Sequence, residues 1–339
     1  MAYLAAGRPT NPAVILVHGN VSSSLFWRGA LSSLSPWFYV LAPDLRGFGD
    51  SEPLAIDAAR GVRDWSDDLR SFVVALNLPA PCRLVGWSLG GGVVMQYGID
   101  HPADVFRMAL ISPLSPFGFG GTKNQDGEPI HSDFAGSGGG TVNASFIERL
   151  RSRDAGSDSP NSPRNIMNQF YFKPPFQVSA SEENLFVDAM LSTRIGSDFY
   201  PGSHRQSEHW PGVAPGEDGV ANAMSPKYIN LSGLAEVAPQ FPILWIRGAD
   251  DQIVSDASLF DFGTLGKLGA VPGWPGEAVY PPQPMVAQLR SVLDRFRTHG
   301  GEYEEFVVAD AGHAPHIEKP DLVLAKIAHF FGYTKDERS

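Results

Sequence analysis

Over the first 113 residues, short apolar runs alternate with helical stripes. Residues 13–18 form an unbroken run, Ala13-Val14-Ile15-Leu16-Val17-His18, closed by Gly19. A run without polar alternation predicts a strand buried on both faces, as in parallel sheets. Residues 38–42 predict a second strand, ended by Pro43 and Asp44. Apolar residues at 65, 69, 72, 73 and 76 trace one face of a helix. Residues 83–87 predict a third strand, 89–99 the helix that continues it, and 107–111 a fourth strand. Strands alternating with helices predict an α/β fold with a mostly parallel sheet and right-handed crossovers.

The periodicity then breaks. From Ser112 to Pro163, 23 of 52 residues are Gly, Pro or Ser. That is too long for an ordinary connection inside a compact domain. Helical patterns return near 143–153 and 182–195, and strand character resumes only at 241–248. The expected organisation is a core in two parts, 1–113 and 241–339, with a cap or lid inserted at 114–240. A second Gly/Pro-rich insertion, about 256–284, precedes a helix at 285–297, a last strand at 303–309 and a final helix at 321–332.

Composition narrows the function. The chain has 339 residues, 43% hydrophobic and 19% charged, which supports a sizeable core. Lys and Arg number 26 against 37 Asp and Glu, a net charge of −11. Such a surface repels phosphate backbones and anionic bilayers, so neither nucleic acid nor membrane is an expected partner. One cysteine, Cys82, and no basic-then-apolar leader pattern in residues 1–12 lead to the expectation of a cytoplasmic protein.

Gly86-Trp87-Ser88-Leu89-Gly90 fits G-x-S-x-G, and it lies between a predicted strand and a predicted helix. That setting is a nucleophile elbow, which strains the serine backbone and lifts its hydroxyl above the sheet edge. A serine needs a base to take its proton. Of nine histidines, His313 follows the last strand on a short loop, with His316 as its rival. The base needs a carboxylate to fix its tautomer. That acid is expected after a strand beside the nucleophile strand. The run after residue 111 has none, whereas Gly248-Ala249-Asp250-Asp251 offers two. The segment His204-Arg205-Gln206-Ser207-Glu208-His209 has one residue too many for a zinc motif of the H-x-x-E-H kind, and no metal is expected.

These motifs, with His18-Gly19 and Asp44-Leu45-Arg46-Gly47-Phe48-Gly49-Asp50-Ser51, make the chain resemble an α/β-hydrolase of the lipase/esterase–dehalogenase–epoxide hydrolase branch. The resemblance covers about 13–113 and 241–332 and implies the α/β-hydrolase fold. It also implies a β-hairpin ahead of the His18-Gly19 strand, of which only Tyr3–Ala6 remain to supply a part, so the expectation is either a missing edge strand or a sequence that begins late. It points to Asp251 as the acid, with Asp250 open, and to a Ser88–His313–Asp251 catalytic triad without cofactor. It implies an oxyanion hole from the backbone N–H of Leu89 and of Asn20, with Val21 the neighbouring choice. Val21 and Trp87 are expected to line the substrate pocket, Trp87 alternatively packing at the elbow. Asp44 and Arg46 are expected to be structural. His18-Gly19-Asn20 with Trp27 also resembles haloalkane dehalogenases. Those need an aspartate nucleophile followed by tryptophan, and Ser88-Leu89 departs from that. The expected activity is a serine esterase or lactonase acting on a small-molecule ester or lactone. Carbon–carbon hydrolysis, thioester hydrolysis and cofactor-free perhydrolysis use the same triad and stay open. So do a ligand receptor on the same fold and a homodimer.

Overall fold

The computed structural model describes residues 1–333. Seven strands form the central sheet: β1 (Tyr3–Ala6), β2 (Ala13–Val17), β3 (Tyr39–Pro43), β4 (Cys82–Trp87), β5 (Val105–Ile111), β6 (Ile243–Gly248) and β7 (Tyr303–Val308). Their spatial order is β1-β3-β2-β4-β5-β6-β7. β1 runs antiparallel to β3, and every other pairing is parallel. The four residues 3–6 therefore do supply an edge strand. β2 is buried along its whole length, as its unbroken apolar run requires.

Helix α1 (Arg28–Leu34) was not evident in the sequence. α2 (Arg63–Ala75) buries Trp65, Leu69, Phe72 and Val73, the predicted stripe. α3 (Leu89–Asp100) is buried from Leu89 to Gly98 and has no polar face over that span, so it reads as a core helix. No strand of the central sheet comes from the segment between Ile111 and Ile243. That segment holds α4 (Ala144–Arg151), α5 (Ala180–Leu191) and three two-stranded ladders among shorter turns. α6 (Met285–Thr298) and α7 (Pro320–Phe330) complete the helices that cover the sheet. Among the described residues, no helix is long and apolar enough to cross a membrane.

Because β2, β4, β5, β6 and β7 are parallel, their carboxyl ends share one edge of the sheet. The chain leaves β2 for Asn20, β4 for Ser88, β6 for Asp251 and β7 for His313. Parallel topology alone thus gathers residues spread over nearly 300 positions at the edge where such folds bind ligands. One expectation needs correcting: the acid strand is not beside the nucleophile strand. β5 lies between β4 and β6, so the acid reaches inward from two strands away.

The second insertion is tied to the first. Tyr280 Oη donates to Ala135 O at 2.9 Å, and Gln283 meets both Gly118 O and Gly120 N. Trp210 packs edge-on against Phe262 and Tyr280. Asp261 anchors this region. Its Oδ2 accepts the N–H groups of Thr264 and Gln283, while burial pushes its carboxyl from 3.8 up to about 6. The folded pKa lies above the unfolded one, so ionised Asp261 costs stability above about pH 6. That cost fades as pH falls through 6 and is gone below 3.8. The gap corresponds to about 3 kcal/mol. Asp261→Asn, whose amide oxygen can still accept both N–H groups, should raise Tm at pH 8. The gain should shrink steadily toward pH 4 in thermal unfolding scans.

Candidate active site

β4 delivers the chain into a tight turn at Ser88, whose φ of 57° and ψ of −121° lie outside ordinary regions for a side-chain-bearing residue. The turn is held from both sides: Ser88 N donates to Ile111 O at 3.0 Å, and Leu114 N donates to Ser88 O at 2.9 Å. A Cβ on Gly90 would lie 2.2 Å from Val17 O, so only glycine lets the start of α3 approach β2. Between Leu84 and Gly98, Ser88 is the one position that is not buried. Ser88 is thus partly exposed within an otherwise buried span of strand, turn and helix.

Gly19 rests directly on this turn, since a Cβ there would lie 2.9 Å from Ser88 Cβ. Its loop is fixed by His18, which is fully buried. Leu45 N donates to His18 Nε2 at 2.9 Å, so Nδ1 carries the proton and donates to Gly19 O at 2.8 Å. Burial lowers the His18 pKa and keeps the ring neutral. Asp44 accepts from Ser24 N and Asp50 N, and Arg46 pairs with Asp68. All three residues hold loops together. Val21 N donates to Asn20 Oδ1 at 3.0 Å, which occupies the neighbouring donor and leaves Asn20 as the better candidate.

Of the two adjacent acids, Asp251 is buried and meets the histidine. His313 Nδ1 donates to Asp251 Oδ2 at 2.8 Å, while Asp251 Oδ1 accepts Ile253 N at 2.8 Å and Val254 N at 3.0 Å. With its Nδ1 committed, His313 has Nε2 free as a base. Asp250 is exposed and pairs with Lys173 Nζ at 2.9 Å. His316 does not share the site's geometry. It is buried against Trp27 and Trp87, at ring separations of 4.5 and 5.1 Å, and burial followed by the nearby His313 pushes its pKa down to about 3. Trp87 lies under the histidine loop, donating to His313 O at 2.9 Å and stacking on Phe26. Trp87 and Val21 are both almost fully buried.

A family model described as the alpha/beta hydrolase fold matches residues 12–263. The chain belongs to the α/β-hydrolase fold family. A pimeloyl-(acyl-carrier protein) methyl ester esterase from Aeromonas hydrophila is 38% identical over 101 residues, 30% of this chain and 37% of that protein. Epoxide hydrolase 3 from Xenopus tropicalis is 30% identical over 122 residues, 34% of this chain and 32% of that protein. The chain thus matches about a third of the length of its curated relatives. Among solved structures, an enol-lactonase from Burkholderia xenovorans aligns over 98% of this chain and 96% of its own, with a TM-score of 0.59 at 17% identity. A thermophilic esterase from Thermogutta terrifontis aligns over 97% and 92%, with a TM-score of 0.57 at 18% identity. At such identities the likeness is one of fold.

Three residues of this α/β-hydrolase-fold chain reach the site without any motif to announce them. Glu318, buried, accepts Gly312 N at 2.7 Å and Lys173 N at 2.8 Å, joining the histidine loop to the inserted segment. Tyr171 Oη reaches Asn20 O and Val21 O at 3.1 and 3.3 Å. Tyr200 lies beside the Asn20 side chain. The sequence is dense in aromatics at 170–176, but nothing in it says which ring turns toward the site. Phe170 in the same run turns away to Phe260, and Phe172 to Phe176.

Proposed function

We propose that this protein is a serine hydrolase that cleaves a carboxylic ester or lactone through an acyl-enzyme. The observation that carries the reading is the 2.8 Å His313–Asp251 contact at the sheet edge where Ser88, alone between Leu84 and Gly98, is partly exposed. Ser88 Oγ attacks the acyl carbonyl as His313 Nε2 takes its proton. Asp251 stabilises the imidazolium that forms. The oxyanion is held by the N–H groups of Leu89 and Asn20. Leu89 stands at the N-terminus of α3, whose dipole favours negative charge. His313 then protonates the leaving oxygen, and water, activated by the same ring, releases the acid.

The esterase and lactonase names of the relatives support the substrate class. The segment 114–240 serves as a cap: it leaves the sheet beside Ser88, at the carboxyl end of β5, and its Phe186 stacks on Phe26 at 4.5 Å before the chain crosses back to enter β6 at the opposite edge. A panel of carboxylic esters, lactones, thioesters and diketones graded by chain length tests the reading. Hydrolysis of esters or lactones to acid and alcohol is expected. Turnover of a thioester or a carbon–carbon substrate, with every ester and lactone inert, would overturn it.

A further inference from the structure

The loop that carries Asn20 is strained, and the strain has to be held by something. Val21 sits at φ 45°, a costly left-handed conformation for a β-branched residue. Such conformations persist only where the surroundings over-determine them. Part of the restraint is local, from Val21 N to Asn20 Oδ1. The rest comes from 150 residues away. A π-helical turn, Met167–Tyr171, ends at Tyr171, whose ring packs between Phe26, Trp87 and His313 at 5.7–6.2 Å. π turns shift a side chain's direction within a helix and recur at functional sites. The Tyr171 hydroxyl reaches the carbonyls of Asn20 at 3.1 Å and Val21 at 3.3 Å. Tyr200, also from the inserted segment and also buried, lies beside the Asn20 side chain.

We propose that the inserted segment positions the oxyanion hole: Tyr171, seconded by Tyr200, holds Asn20 so that its N–H stays aimed above Ser88. This rests on the reading of Asn20 as an oxyanion donor. Both tyrosines are positioning residues, since they act through Asn20. The Asn20 C=O and N–H lie in adjacent peptide planes joined at one Cα, so fixing the carbonyl plane restrains the backbone angles that aim the N–H. Releasing the carbonyl therefore lets the strained turn relax and carries the donor off its line. Burial raises the pKa of both phenols far above the ordinary value, so the hydroxyls stay protonated wherever the enzyme works. Tyr171 is itself well anchored: Ala314 N donates to Tyr171 O at 2.9 Å, and the next residue but one donates to Glu318. The same stretch of insertion thus braces the histidine loop and the oxyanion loop together.

The test is Tyr171→Phe, which keeps the ring and removes the hydroxyl, with Tyr200→Phe as the second variant. Displacing a donor that is used only when the oxyanion forms costs transition-state binding and spares substrate binding. Tyr171→Phe should lower kcat by about tenfold with KM within about twofold, and slow fluorophosphonate inactivation in parallel. Tyr200→Phe should shift the same quantities in the same direction by less. If kcat stays within about twofold of wild type in both variants while Ser88→Ala is inactive, the positioning role is wrong and the serine mechanism stands. A rise in KM without a fall in kcat would place the hydroxyls on the substrate and also overturn it. If Tyr171→Phe fails to fold, Tyr200→Phe alone decides. Full activity in Ser88→Ala would remove the underlying reading itself.

Discussion

Ser88→Ala is expected to lower kcat by about 10⁶ on any substrate the protein turns over, the scale on which a lost nucleophile removes covalent catalysis. The fold should not change. Alanine keeps the β-carbon, so the turn at φ 57° carries the same strain, and the bonds that hold it are made by backbone atoms of Ser88, Ile111 and Leu114. Tm should therefore match wild type while the steady-state rate falls to background. Activity within tenfold of wild type would mean that the chemistry happens elsewhere.

Asp251→Asn should lower kcat by about 10⁴, and the reason lies in how the carboxylate is pinned. Oδ1 accepts two backbone N–H groups, from Ile253 and Val254, so an amide must put its oxygen there. Its NH2 group is then forced to face His313 at the position of Oδ2. Two donors cannot meet, so the ring gives up its Nδ1 proton, carries one on Nε2 and can no longer act as a base. Asp250→Asn should cost less than about fivefold, because that acid is exposed and loses only a surface pair with Lys173. Kinetics of the two variants side by side check this, and the reverse ranking would move the acid by one residue.

The core of the fold is legible in the sequence because parallel strands buried on both faces leave unbroken apolar runs. Residues 13–17, 84–87 and 243–246 declare themselves in this way. α2 is equally plain from its stripe of Trp65, Leu69, Phe72 and Val73. α1 is not, since seven residues rich in Ser and Gly carry too little periodicity. The ladders of the inserted segment are two or three residues long, below the length at which alternation can be counted. At the site, Ser88 and His313 are announced by strand-to-loop context. The choice between Asp250 and Asp251 is not, because both follow Gly248 and only the fold decides which side chain turns inward. Tyr171, Tyr200 and Glu318 are illegible for a different reason. Their meaning lies in contacts to Asn20, Gly312 and Lys173 across more than a hundred residues of chain, or across a turn whose partner is a backbone N–H.

The central claim is that His313, oriented by Asp251, makes Ser88 a nucleophile, and covalent labelling tests it most directly. A fluorophosphonate is to be added to saturation and the protein digested for peptide mass spectrometry, with residual activity measured on the same sample. One phosphonyl group per chain, on Ser88, with loss of activity in step with labelling and much slower labelling of Asp251→Asn, is the predicted result. Labelling at another residue, or full activity in fully labelled protein, would contradict it.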